Sequence, residues 1–492
     1  MESSDLCARS TIEMLALLRH RDVSSEELVR SHLRRIELVD GDLHAVCANG
    51  GERALAEARL ADHDRTGDDR PLLGLPLAID DLVATRGLVT TLGSPLFAGH
   101  VPLRDDPVIT RLRGAGAIVL CKTNTSELGF EANAENPLFG ATRNPHHHDH
   151  ASGGPAGGAA AAIAARLAPA AIGYDLGCGL RAPASYCNVI ALRPTVGLVP
   201  GRPSALAWQT LETAGPMART VPDIALLLRA IAIADARHTL APKTPPDSSG
   251  GLDRDFTGVR ALVTSSIGPY RPARAVAEVF EGACGILAKL GIEPCDDLID
   301  PTGAEQAHRV LRAYYLSAIH YPLLRARRTE LNPAARREIE QGLQLNALVL
   351  AEAERARRNL WERLADILEQ VEFVVTPTTL APAPRLAQDE KRPPGATTPT
   401  LDEREALAAR ESLLPCYLFG LLGLPAVTMP CGFTNDGLPV GLQIVGRRHA
   451  DFDVLRLAHA FERRTWFAGR LAQVDLEGAA RTLPVSVAQG DG

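Results

Sequence analysis

A glycine-rich loop is the part of this sequence best suited to chemistry, and three side chains are considered together with it. Residues 152–158 and 173–183 are dense in glycine. Glycine permits unusual backbone angles and lets amides point into a cavity, which is how a site for an oxyanion is built. The loop lacks the Gly-x-x-x-x-Gly-Lys-Ser/Thr pattern of a phosphate loop, and its spacing does not fit a dinucleotide fingerprint. Acyl chemistry is therefore favoured over nucleotide binding, with Asp80, Cys178 and His150 as candidate catalytic residues.

Asp80 follows an apolar run at residues 75–79 that predicts a buried strand. A carboxylate at the end of a strand, in a partly dry cavity, can have a raised pKa and act as an acid or a base. It can also bind a cationic group of a substrate. The alternative is that Asp80 is a solvated or hydrogen-bonded residue that only fills space, and the sequence leaves both interpretations open.

Cys178 lies inside the second glycine segment. A thiolate beside an amide-rich loop would be activated by the local positive potential. The simpler interpretation, a small packed residue, is favoured.

The run from His146 to His150 holds four histidines and one aspartate, all of them metal-ligand types. Adjacent residues converge poorly on one ion, and no second cluster at helical spacing supplies further ligands. We therefore expect no metal and interpret the run as a surface loop. His150 is nearest to the glycine loop and is the one histidine expected to reach the pocket as acid or base.

The elements that must position these residues alternate in type. Capping boxes at Ser10 and Ser24 predict helices, and the first seventy residues are expected to be helical throughout. After them, short apolar runs alternate with helical stretches, which is typical of an α/β fold whose strand ends feed functional loops. Strands are predicted at residues 75–79, 117–121, 170–173, 259–265, from 373 onward and at 424–447, the last around an Asn-Asp-Gly turn. Helices are predicted at 272–290, with its proline in the first turn, and through the arginine-dense stretch 302–371.

Composition excludes several classes of function. The chain has 492 residues, a net charge of −7 and 46% hydrophobic residues, which predicts a folded soluble protein and argues against nucleic acid as a partner. Nine cysteines without a Cys-x-x-Cys pair suit reduced thiols, and the N-terminus lacks a signal-peptide pattern, so a cytoplasmic protein is expected. The small-residue stretch 156–171 is too short to span a membrane. We expect no cofactor and no membrane partner, and a homodimer is a fair default.

The motifs in order resemble those of the amidase signature family, serine hydrolases of amides and related acyl compounds. The resemblance rests on residues 74–78, 122–124, 139–145, the glycine loop, 192–195, 215–220, 376–378, 424–432 and 437–443. It implies one α/β/α body with a mixed central sheet flanked by helices. The expected divisions are an N-terminal helical segment (1–70), the signature core (71–240), a variable, largely helical insert or cap (241–371) and the C-terminal part of the core (372–492).

The same resemblance implies a catalytic triad of a lysine, a serine in a cis peptide bond and a nucleophilic serine, and this sequence departs from it at all three positions. Asp80 stands at the lysine position, Pro155 at the bridging serine and Gly179 at the nucleophile. Lys122 is interpreted as a structural residue at a strand end. An aspartate reverses the charge of the base, a proline cannot relay a proton, and a glycine has no nucleophile. The family's hydrolytic mechanism is therefore expected to be lost while its scaffold is kept.

Three functions remain open at this stage. The first is an enzyme that uses Asp80 for acid/base chemistry on a small amide- or acyl-containing metabolite, by cyclisation, isomerisation or elimination. The second is an inactive binding or complex-stabilising subunit. The third is amide hydrolysis through Cys178 or Asp80. In each, the expected substrate-binding residues are Pro155, Asp175, Leu176, Gly177 and Gly179.

Overall fold

The computed structural model describes residues 3–64, 70–202, 206–232, 238–243, 250–386, 403–465, 467 and 472. Its α-helices are α1 (Ser3–Ala8), α2 (Thr11–His20), α3 (Ser25–Leu43), α4 (Gly51–His63), α5 (Pro107–Gly114), α6 (Gly157–Ala164), α7 (Arg181–Tyr186), α8 (Val221–Ile231), α9 (Arg274–Lys289), α10 (Ala304–Arg327), α11 (Pro333–Leu343), α12 (Ala347–Gln370), α13 (Glu403–Ser412), α14 (Leu414–Leu421) and α15 (Asp451–Thr465). Its strands are β1 (Val46–Asn49), β2 (Pro76–Asp80), β3 (Ile118–Thr123), β4 (Glu135–Asn136), β5 (Gly140–Ala141), β6 (Arg143–Asn144), β7 (His147–Ala151), β8 (Ala170–Asp175), β9 (Ile190–Arg193), β10 (Thr213–Ala218), β11 (Arg260–Val263), β12 (Glu293–Pro294), β13 (Phe373–Pro377), β14 (Ala426–Phe433) and β15 (Pro439–Gly446).

One mixed sheet of eleven strands forms the centre of the fold. Its strand order is β1-β3-β2-β8-β10-β9-β14-β15-β13-β11-β12. β2 runs parallel to β3 and β8, the strands from β8 to β13 pair antiparallel, and β11 runs parallel to both of its neighbours. The expected α/β fold with a mixed central sheet flanked by helices is confirmed.

The central strands are buried on both faces, which explains why they read as continuous apolar runs. Every residue of β2, β3, β8 and β10 is buried. Helix α6 packs close to this sheet because it is made of glycine, alanine and one isoleucine. A Cβ at Gly158 would lie 2.3 Å from the backbone oxygen of Asn124, so no larger residue fits there. The stretch 156–171 is thus a buried packing element.

The N-terminal capping boxes are confirmed. The hydroxyls of Ser10 and Ser24 accept from the amides of Glu13 and Glu27, whose carboxylates accept from the two serine amides in return. The expectation that the first seventy residues are all helical is wrong, because β1 pairs antiparallel with β3 at the edge of the sheet. Its side chains are only partly buried, so it lacks the apolar run that marks the inner strands.

In the C-terminal half, β14 and β15 form the predicted hairpin, with Gly437 in the left-handed region at φ +82°. Helix α9 starts at Arg274, two residues after Pro272, so the predicted proline in its first turn is wrong. The arginine-dense stretch forms three helices, α10 to α12. They share a hydrophobic core with α14 and Phe130, which places them over the glycine loop.

Candidate ligand site

The glycine loop begins where β8 ends at Asp175 and finishes where α7 begins at Arg181. Asp175 is fully buried, and its carboxylate accepts from Arg181 Nε and Nη2 and from Arg193 Nη1, each at 3.0 Å. Burial alone would raise the pKa of Asp175, but the two guanidiniums outweigh it and hold the pKa at about 2. Asp175 is therefore an anion that organises the loop from beneath.

Arg181 and Arg193 carry this network to the next helix. Arg181 donates to the backbone oxygens of Gly177 at 2.6 Å and Cys416 at 2.8 Å, and Arg193 donates to that of Gly420 at 3.0 Å. Both arginines are fully buried, like the carboxylate that they share. The loop and α14 are thereby fixed to one another through charge-assisted hydrogen bonds.

Pro155 and Gly179 lie against each other at the mouth of the loop. The Gly154–Pro155 peptide is cis. A Cβ at Gly179 would lie 3.2 Å from Pro155 Cδ and only 2.4 Å from the backbone oxygen of Tyr174. Real Cβ atoms essentially never approach within 3.0 Å, and Tyr174 belongs to β8, so this contact cannot be relieved by a side-chain rotation. The backbone at Gly179 has no room for a side chain.

Asp80 is the last residue of β2 and is completely buried. Its Oδ1 accepts from the amide of Leu82 at 2.9 Å, whereas its Oδ2 has no hydrogen-bond partner among the described residues. A Cβ at Gly173 would lie 3.2 Å from that Oδ2, between Leu180 and Ala156. Burial raises the pKa of Asp80 to about 7, although the Leu82 amide and Lys122 partly oppose it. The fully buried carboxyl therefore titrates near neutral pH.

Lys122, on the neighbouring strand β3, is also fully buried. Its ammonium donates to the backbone oxygen of Val83 and, at 3.2 Å, to Thr85 Oγ1, and it lies 3.9 Å from Asp81 Oδ1. Burial lowers the pKa of Lys122. These contacts hold the turn that follows β2.

We predict that Asp80→Asn changes the pH dependence of stability. The pKa of Asp80 rises from 3.8 in the unfolded chain to about 7 in the folded protein. Between about pH 4 and about pH 7 the folded protein therefore holds a proton that the unfolded chain has released, and the carboxyl disfavours folding more and more as the pH rises through this range. The variant should therefore gain stability relative to wild type across that range, by on the order of 2–4 kcal/mol. Urea unfolding at pH 4.5, 6 and 8 measures the difference. Asp296→Asn, at an exposed position, is the control, and a pH-independent difference for Asp80→Asn would contradict the prediction.

A cavity of about 330 Å³ lies directly above the glycine loop. Its floor contains Pro155, Leu176, Gly177, Cys178 and Gly179. Four of the five expected substrate-binding residues thus face one cavity together with Cys178. Its volume falls within the range of small-molecule sites.

Three other candidates lie away from this cavity. Asp80 and Asp175 are buried beneath its floor and are not among its lining residues. His150 lies on β7, bridges to Arg385 and packs its ring 4.3 Å from that of His147, and it does not line the cavity either. Within the described residues, no group of three or more histidines, cysteines or acids is arranged to hold a metal.

Cys178 reaches the cavity, but its environment does not activate it. Burial raises the pKa of its thiol to about 12, with Asp175 contributing in the same direction and Arg181 opposing. Since the thiolate is the nucleophilic form, almost none is present at neutral pH. Cys178 is a half-buried thiol in the wall of the cavity.

The walls come from the helical stretch 302–371, part of the predicted insert or cap, and from α13 and α14, none of whose lining residues was a candidate from the sequence. Helix α10 contributes His308, Arg309 and Arg312, and Arg337 on α11 and Arg410 on α13 complete a lining rich in arginine. The arginine density of this stretch was a visible signal, but only the packing of α10 over the loop shows where those side chains lie.

A larger cavity, of about 940 Å³, lies elsewhere, and its lining includes Pro71, Ala115, Arg104 and Arg111. Pro71 and Ala115 precede β2 and β3, so this cavity is at the opposite end of those strands from Asp80. The cavity above the glycine loop is the candidate site because the loop and its supporting ion network converge on it.

Residues 27–455 of the chain match the family model described as Amidase. The chain belongs to the amidase signature family. It is 33% identical over 481 residues to a glutamyl-tRNA(Gln) amidotransferase subunit from Desulforapulum autotrophicum, covering 91% of this chain and 96% of that protein. It is also 33% identical over 496 residues to the protein of the same name from Roseiflexus castenholzii, covering 94% and 97%.

Solved structures share the fold. 6-Aminohexanoate cyclic dimer hydrolase superposes with a TM-score of 0.83 at 24% identity, covering 95% of this chain and 99% of that one. The corresponding subunit of the Thermotoga maritima glutamyl-tRNA(Gln) amidotransferase superposes with a TM-score of 0.72 at 26% identity, covering 92% and 95%. In the part of the chain that the structure describes, no helix has the length and apolar character needed to cross a bilayer.

Proposed function

We propose that this chain binds a small molecule in the cavity above the glycine loop and does not hydrolyse amides by the serine chemistry of its family. The observation that carries the proposal is Gly179. It stands where the resemblance places the nucleophile, it has no side chain, and its backbone lies so close to the Tyr174 carbonyl that no side chain fits. A covalent acyl-enzyme needs a nucleophilic atom at this point.

The other two positions support the same conclusion. Pro155 occupies the position of the bridging serine and has no proton to relay. Asp80 occupies the position of the lysine but is sealed below the cavity floor. Hydrolysis through Cys178 is disfavoured because its thiol is protonated at neutral pH.

Acid/base catalysis by Asp80 is the second candidate. Its Oδ2 is buried and has no hydrogen-bond partner among the described residues, and its pKa of about 7 suits proton transfer at neutral pH. A general acid or base must come within hydrogen-bond reach of the substrate. This candidate therefore requires the layer around Ala156 and Leu180 to open, and the binding function, which needs no such movement, is preferred.

A complex-stabilising role is compatible with binding. Relatives that match over nearly the whole chain are named as one of the subunits of an amidotransferase, so a protein partner is a natural extension of the proposal. Those names include tRNA, yet the net charge of −7 disfavours direct contact with nucleic acid by this chain. Copurification from the native host, followed by identification of bound proteins, tests for such a partner, with a homodimer as the alternative outcome.

We predict that the purified protein releases no ammonia from a panel of primary aliphatic, aromatic and amino-acid amides. The measurement is a coupled ammonia assay, with a family member that carries all three catalytic residues as positive control. Activity above the uncatalysed rate would overturn the proposal. If such activity appeared, its loss in Cys178→Ala or in Asp80→Ala would assign it to the thiol or to the carboxyl.

A further inference from the structure

The cavity above the glycine loop carries an imbalance of charge. Two of its arginines are already engaged, since Arg312 contacts Glu338 and donates to the Phe130 backbone oxygen at 2.7 Å, and Arg309 lies 3.8 Å from Glu305. The cavity lining includes all of these residues. These pairs balance each other and leave no net charge.

Arg337 and Arg410 are different. Both line the same cavity, and neither guanidinium makes an ion pair or hydrogen bond with another described residue. The remaining acid of the lining is Glu131, so the lining holds four arginines and three glutamates in all. Two guanidiniums from separate helices, α11 and α13, therefore lie at the cavity outside any ion pair among the described residues, and the lining has one more positive than negative side chain.

A second part of the lining is flat and uncharged. His308 stacks on Tyr417 with ring centroids 4.7 Å apart and an interplanar angle of 16°. Burial lowers the pKa of His308 to about 3, so the imidazole is neutral. Its Nε2 has no hydrogen-bond partner among the described residues and faces Gly177, where a Cβ would lie 2.9 Å away. The stacked pair offers a planar, uncharged surface to a ligand.

We propose that this cavity binds an organic carboxylate, with Arg337 and Arg410 holding the charged group and the His308–Tyr417 pair contacting the body of the ligand. Guanidinium groups match carboxylates in geometry and charge, and arginines that form no ion pair with another described residue favour an anion over the neutral amide that the family's chemistry would suggest. This inference names the ligand class for the binding function proposed above and rests on it.

The experiment compares carboxylates with their own primary amides. The probes are matched pairs of straight-chain acids from butyrate to octanoate, benzoate to 4-phenylbutyrate, succinate and glutarate, together with inorganic phosphate. Thermal shift and ligand-observed NMR measure binding to the full-length protein at low and high salt. At least one carboxylate should bind at least tenfold more tightly than its amide, and salt should weaken it.

The variants are Arg337→Gln, Arg410→Gln and the pair combined. The double variant should lose at least tenfold in carboxylate affinity while its amide affinity stays unchanged. Arg336→Gln is the control because Arg336 is next to Arg337 on α11 but does not line the cavity. Circular dichroism and melting temperature establish that each variant is folded.

Three results would overturn the inference: no carboxylate binds better than its amide, the double variant binds carboxylates as wild type does, or phosphate binds and the carboxylates do not. The failure of the proposed function is a separate result. If the protein released ammonia from amides, the non-hydrolytic function would be wrong, whereas arginine-dependent binding of a carboxylate would still stand.

Discussion

Asp175→Asn is expected to lower the free energy of unfolding by about 3–5 kcal/mol, because it removes the single negative charge from the buried group of Asp175, Arg181 and Arg193. Asparagine has nearly the same shape, so packing is preserved. The guanidiniums of Arg181 and Arg193, both 0% exposed, would remain buried without their shared carboxylate. Urea denaturation followed by circular dichroism at pH 7 measures the loss.

The matched control is Asp253→Asn, which removes the carboxylate from an ion pair with Arg463 of 2.7 Å. Those side chains are 82% and 65% exposed, so the change should cost less than about 1 kcal/mol. Since the pKa of Asp175 is held at about 2, its stabilising effect is present above about pH 4 and is lost as the pH falls towards 2. Equal losses from Asp175→Asn and Asp253→Asn would show that the buried network does not support the loop.

Gly179→Ser is expected to destabilise the protein by about 2–3 kcal/mol and to restore no amide hydrolysis, even when combined with Asp80→Lys and Pro155→Ser. The new Cβ would lie 2.4 Å from the Tyr174 carbonyl oxygen, so β8 or the loop must shift to admit it. A shift of the loop also displaces the amides that would hold an oxyanion. The measurements are the melting temperature and the ammonia assay.

The control is Gly282→Ser on the exposed face of α9, where a Cβ would meet no atom within 4 Å. Serine has a higher helix propensity than glycine, so this change should raise stability by about 0.5 kcal/mol. If the variant with all three substitutions hydrolysed amides, the backbone of the glycine loop would still be able to hold an oxyanion, and only the three catalytic side chains would have been lost.

Much of the fold could be predicted from local patterns. The runs that became β2, β3 and β8 are apolar because both faces of the sheet are covered, and the turn at Gly437 needs a residue that tolerates positive φ. β1 was missed because an edge strand of three half-buried residues and one exposed residue has no such run. The start of α9 was predicted two residues too early, at Pro272 instead of Arg274, because local sequence does not show how the chain enters the helix.

The candidate site was predicted in part. Residues adjacent in the glycine loop, Pro155 and 176–179, face one cavity as expected. His150 is close to the loop in sequence but does not line the cavity, and its strand β7 bridges to Arg385 instead. Arg337 and Arg410 were not recognised, since they lie more than 150 residues beyond the loop and sequence spacing contains no information about how α11 and α13 fold back over it.

The sequence by itself determined the family and the residue types at the three critical positions, because these depend on ordered motifs and on which side chains contain a nucleophile or a proton. Only the tertiary structure decided what those residues can do. Burial set the protonation of Asp80 and Cys178, the contact with Tyr174 closed the space at Gly179, and helix packing brought Arg337 and Arg410 to the cavity. Each of these depends on distances and solvent exclusion that arise only when distant segments meet.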